Sequence, residues 1–153
     1  MKFILKERLN KRNLKDCGAV FIPIIVTGKK VVFGDFFDLL ERADQGLIKG
    51  YFKARNFKAG ESKLLRLNAA PNFTFCAVES IFSGQNIGLL VRKFIRAAKS
   101  EGVQSAAFYA GDYPKIFAGT SVAALSETAV VNALLAHFDF SEEFKAAPKG
   151  GWK

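Results

Sequence analysis

His137 is the single histidine of the chain, and Cys17 and Cys76 are its two cysteines. One imidazole cannot serve two sites, and the cysteines follow no zinc or redox spacing. No serine stands in a G-x-S-x-G turn, and no H-E-x-x-H pair is present to form the helical zinc site of a metalloprotease. The carboxylates do not converge. Asp35 and Asp38 share a helix start, where negative charge favours the dipole, and Glu142 and Glu143 sit in a polar tail. "TGKK" (27–30) has the look of the end of a phosphate loop, but Pro23 stands where the leading glycine belongs and Lys30 replaces the final Ser/Thr. It reads as a turn. "SGQNIG" (83–88) opens a helix after a strand, where free backbone N–H groups can hold an anion. With two glycines and no flanking fingerprint it reads as an ordinary strand-to-helix connection rather than an anion site. His137, among Leu134, Leu135, Phe138 and alanines, reads as a capping or surface residue. No catalytic, cofactor-binding or metal-ligating residue is assigned.

Charge carries more information. Lys and Arg number 23 against 14 Asp and Glu, a net charge of +9, and the pI is near 9.7. Such a balance attracts nucleic acid or an acidic partner. Two groups are the candidate nucleic-acid contacts: Lys6, Arg8, Lys11, Arg12 and Lys15 near the start, and Arg92, Arg96 and Lys99 along one helix. No zinc finger, zipper or RNA-binding signature accompanies them. The plain alternative is a solvated basic face. The longest apolar run, "AVFIPIIV" (19–26), is far too short to span a bilayer. The opening "MKFILKERLNK" does not read as a secretory signal. A cytoplasmic location without membrane contact is expected, with both thiols buried or half-buried.

The elements that would position these residues follow from periodicity. A length of 153 residues suits one domain. "KFIL" (2–5) is a short strand, and "AVFIPIIV" reads as a strand buried on both faces. Pro23 within it argues against full pairing and predicts an unpaired edge side or a bulge near it. "VVF" (31–33) extends the pattern after a turn at Gly28. Phe36, Leu40, Ala43 and Leu47 recur at helical spacing, with Asp35 as N-cap. Gly46 and Gly50 leave one helix or two short ones open. Strands at 62–67 and 73–79, joined by "NAAPN", form a hairpin. "QNIGLLVRKFIRAAKSEG" is an amphipathic helix: Ile87, Leu90, Val91, Phe94, Ile95 and Ala98 line one face, Arg92, Arg96 and Lys99 the other, and Gly102 caps the end. A strand over 103–110 and a helix over 121–138 complete the order. Helices alternating with buried strands predict an α/β domain, a mixed sheet flanked by helices in a layered arrangement. In the last helix Val122, Ala129, Ala133 and Ala136 form a smooth ridge suited to packing on the sheet. Val130, Val131, Leu134, Leu135 and Phe138 cover the other side, and Val130, Leu134 and Phe138 are the candidate interface.

At "FKARNFKAGESKLLRL" (52–67) the chain resembles the N-terminal domain of the leucyl aminopeptidase family. That domain carries a basic "gdFkGkaGetlll" pattern after a short helix, and Asn56–Glu61 occupies its place. The order beyond it is similar too: hairpin strand, amphipathic helix, strand and alanine-rich helix, closing near "HFDFSEEFK". Two positions depart from the family: "CAVES" lacks the glycines of "vGLG", and Thr128 stands where a glycine follows the glutamate. The resemblance implies a macro-like domain over 1–147 that carries no catalysis, serves as scaffold and assembly surface, and helps organise a hexamer. Residues 148–153 then read as the start of a linker to a peptidase domain. There the family holds two divalent metals, zinc or manganese, to release N-terminal residues from peptides; no ligand for them is carried over to this chain. Some bacterial members also bind DNA, so weak DNA binding is expected as a further property. A basic nucleic-acid-binding module is the rival reading, and a macro-type domain that binds a nucleotide-like ligand at "SGQNIG" is the third.

Overall fold

The computed structural model describes residues 1–6, 10–112, 116–117 and 121–137. Arg8, Phe138, the acidic tail and the expected linker from Pro148 lie outside the described residues. The elements run β1 (Lys2–Lys6), α1 (Lys11–Leu14), β2 (Ala19–Thr27), β3 (Lys30–Phe33), α2 (Phe36–Leu39), α3 (Arg42–Lys53), β4 (Ser62–Arg66), β5 (Phe73–Glu79), α4 (Gly84–Ser100), β6 (Ser105–Tyr109) and α5 (Val122–His137).

The strands form one mixed sheet in the order β1-β6-β2-β5-β4, with β3 on β2. β1, β6, β2 and β5 are parallel, while β3 and β4 run antiparallel to β2 and β5. On one face Val20, Ile22 and Ile24 of β2 pack under α1, α2 and α3. On the other, Ala19 and Phe21 pack under α4 and α5. This is the layered α/β domain with a mixed sheet that the sequence predicts. The continuous apolar run of β2 has its physical reason here, because a strand covered on both faces needs no polar alternation.

Pro23 lies where one side of β2 is locally without a strand partner, the incomplete pairing that its missing N–H predicts. It sits inside the central strand, in register with Ala77 of β5. β6 pairs with β2 only at Ala19 and Val20, and β3 takes over from Ile24. Pro23 falls between these two partners, and its carbonyl accepts from Gly34 N at 2.8 Å. The missing donor thus falls where the ladder changes hands.

The helical stretch after β3 is two helices, but the break lies at Leu40 rather than at the glycines. Leu40 is extended (ψ 155°), and Gln45 Nε2 donates to the carbonyls of Phe37 and Leu40 at 2.9 and 3.1 Å. Asp35 holds the N-cap position of α2 as expected, but with helical backbone angles and no side-chain capping bond. The carboxylate with the structural task is Asp44, in the first turn of α3 and 1% exposed. It accepts from Asn68 N at 2.8 Å, Asn68 Nδ2 at 3.1 Å and Ala69 N at 3.1 Å, tying α3 to the β4–β5 turn. Asp44→Ala removes the buried charged acceptor shared by these three donors, and a hydrogen bond to a charged group contributes about 1.5–3 kcal/mol. A loss of about 3 kcal/mol on urea unfolding is expected, with Asp44→Asn falling in between. A change below about 1 kcal/mol would mean that the turn satisfies its amides elsewhere.

α4 matches its sequence reading closely. Ser83 caps it by accepting from Asn86 N at 3.2 Å, Gly102 adopts φ +73°, and every residue of the expected apolar face is buried. "SGQNIG" is accordingly the capped start of a core helix.

Candidate functional site

The two basic groups do not meet. Lys11 and Arg12 lie on α1 and Lys15 directly follows it, on the sheet face that carries Leu14. Arg92, Arg96 and Lys99 belong to α4 on the opposite face. Lys11 is 3.3 Å from Glu41, in an exposed pair of little energetic weight. Nor is the α4 group a uniform solvent face. Arg92 Nε donates to Asn132 Oδ1 of α5 at 2.7 Å, and Lys99 Nζ to the His137 carbonyl at 3.4 Å. Arg96 alone of the three is exposed without a partner named on α5. The polar side of α4 is therefore half seam. Gly88 belongs to the same seam, since a Cβ there would sit 2.8 Å from the Asn132 side chain.

α5 divides as a ridge and a bulky side. Leu125, Ala129, Ala133 and Ala136 are buried, against α4 and beside β1. Val122 is corrected: at 47% exposure it is not part of the inward ridge. Val131 (45%), Leu134 (54%), Leu135 (39%) and Val130 (36%) face outward, as expected of the bulky side. Val130, Leu134 and His137 also wall a cavity of about 250 Å³ floored by Met1, Phe3 and Leu5 of the β1 edge. Two of the three candidate interface residues thus border one apolar surface.

A second concavity, about 470 Å³, lies at the other end of the sheet between β4 and α4. Its floor is Leu64, Phe73, Phe75 and Ala97, and Arg66 and Lys93 stand at its rim. The Arg66 guanidinium lies 5.3 Å from the centre of the Phe73 ring. Burial raises the Glu79 carboxyl above its ordinary range, and nearby Lys93 partly counters this. That places Lys93 toward the end of β5, while Arg66 pairs with Phe73 at its start. None of these cations was singled out from sequence, because their grouping depends on strand order.

Both thiols are buried, Cys17 at 4% and Cys76 at 0% exposure. Burial pushes the Cys76 thiol up to about 12, which suits packing and opposes nucleophilic use. Among the described residues no group of three or more His, Cys, Asp or Glu could hold a metal ion. No described helix is long and apolar enough to cross a membrane.

The segment that carries the family resemblance forms the exit of α3. Asn56 and Phe57 adopt positive φ of 55° and 45°, a conformation costly for phenylalanine. Packing holds it: Phe57 N donates to Phe52 O at 2.8 Å, and the ring lies 6.2 Å from Phe33 and 6.3 Å from Phe52. Comparison with protein-family models, with curated proteins and with solved structures gives no match to this chain.

Proposed function

We propose that this chain is a non-catalytic N-terminal domain of the leucyl aminopeptidase type, acting as scaffold and assembly surface for a peptidase domain beyond it. The observation that carries the reading is the outward apolar side of α5, where Val130, Val131, Leu134 and Leu135 are each more than a third exposed. Contiguous exposed apolar surface marks a contact site. The resemblance of Asn56–Glu61 to the family pattern and the order of elements support the same assignment. In this reading zinc or manganese belongs to the second domain, and copies assemble into a hexamer in the cytoplasm. Sedimentation of the chain over a range of concentrations tests it. Association that Leu134→Glu removes while the fold survives supports the reading, and a clean monomer that Leu134→Glu unfolds overturns it.

The same reading gives the basic faces no sequence-specific role. Duplex DNA is expected to bind weakly and without base preference, because scattered Lys and Arg contact phosphates alone. Anisotropy titrations at about 50 and 200 mM salt should show affinity falling by orders of magnitude if six or more phosphates are contacted. Tight, sequence-selective binding that survives the higher salt would favour the nucleic-acid module instead.

A further inference from the structure

The concavity between β4 and α4 lies beside an unpaired sheet edge. Among the described residues β4 ends the strand order and pairs only with β5. Val78 N donates to Glu61 O, and Leu67 N to Asn72 O. Residues 61 and 67 therefore turn their backbone groups toward β5, and by strand alternation so do 63 and 65. Ser62, Leu64 and Arg66 are left with N–H and C=O groups directed away from the sheet. The side chains of these same three residues line the concavity on the α4 side. An open main-chain edge and a side-chain groove thus coincide, walled by a helix.

We propose that this groove takes an extended acidic peptide, which adds as a strand to the open edge of β4. An added strand would satisfy the outward groups of Ser62, Leu64 and Arg66 and project every second side chain into the groove. The groove has an order that fixes what those side chains should be. Lys93 stands toward the Ser62 end, Leu64 with Phe75 and Ala97 forms an apolar middle, and Arg66 over Phe73 closes the other end. A peptide with acid, apolar and acid at alternate positions matches it. Exposed Lys63 adds positive charge on the opposite side of the strand. Glu101, at the C-cap of α4, is the acidic member of the lining; Glu79 lies beside Lys93. Single-stranded nucleic acid is the weaker fit: of the two aromatic residues in the floor, Phe75 is buried and Phe73 already carries the Arg66 guanidinium, whereas a nucleic-acid groove needs free rings for stacking.

The test uses the full chain and a fluorescein-labelled peptide carrying Glu, Leu and Glu at alternate positions with Thr between them. Saturable anisotropy binding is expected, weakened about tenfold or more by Arg66→Glu or Lys93→Glu. Arg12→Glu, an equal change of charge on the opposite face of the sheet, should leave it nearly unchanged. N-methylation of the amides facing β4 should abolish binding, and methylation of the alternate set should spare it. The proposal is overturned by lack of saturable binding, by equal loss with Arg12→Glu, or by indifference to both methylation patterns. Displacement of the peptide by a dT oligomer that itself depends on Arg66 and Lys93 would assign the groove to nucleic acid and also overturn it. The groove lies at the opposite sheet edge from α5, so these outcomes leave the assembly reading untouched.

Discussion

Phe21→Ala is expected to cost about 4 kcal/mol of folding stability, the range for removing a buried aromatic ring from a well-packed site. Phe21 sits on the central strand β2 at 2% exposure. Its ring lies 5.3 Å from Phe108, 5.6 Å from Phe75 and 5.8 Å from Phe94, so one side chain joins three strands to α4. Removing it takes away apolar burial and leaves a void that three rigid rings cannot easily fill. With a urea slope of about 2 kcal/mol per M, the unfolding midpoint should fall by roughly 2 M. Phe21→Leu keeps much of the volume and should cost well under half as much. A midpoint shift below about 0.5 M for Phe21→Ala would mean that the aromatic cluster is not packed as described.

That cluster also shows what could be read in advance. The strand containing Phe21 was legible because its apolar run is short, bounded by turns and too continuous for one-sided burial, and that containing Phe75 because its large side chains alternate. α4 was legible because its period, cap and terminal glycine agree. Adjacency was not legible. Nothing local to "FTFCAVE" or "SAAFY" states that β5 and β6 flank β2, since that order depends on the crossover of α4. The break at Leu40 was hidden for a related reason: Gln45 secures it from the following helix, whereas the glycines that weaken helix propensity lie harmlessly inside α3. Asp44 was not singled out from sequence, because its value comes from a turn 24 residues away. The candidate surfaces divide in the same way. The outward side of α5 follows from one helix and was visible. The groove of Leu64, Arg66 and Lys93 needs three elements side by side and was not.

Leu134→Glu should separate assembly from folding, because the two sides of α5 respond differently to the same charge. Leu134 is 54% exposed, so in the isolated domain a glutamate there keeps its hydration and should change stability by about 0.5 kcal/mol or less. In an associated state the leucine is covered, which contributes about 1–2 kcal/mol per copy. A carboxylate in its place would be stripped of water without a partner, adding several kcal/mol of penalty. The combined effect should weaken association by more than about a hundredfold. Ala133→Glu provides the contrast. Ala133 is 3% exposed in the seam with α4 and β1, so the larger charged side chain there should unfold the domain. Circular dichroism reads the fold of both variants, and light scattering reads their association. Native dichroism with lost association for Leu134→Glu, beside lost dichroism for Ala133→Glu, is the expected pair. Unfolding by both variants, with the unaltered chain a monomer throughout, would make Leu134 a core residue and remove the assembly surface from α5.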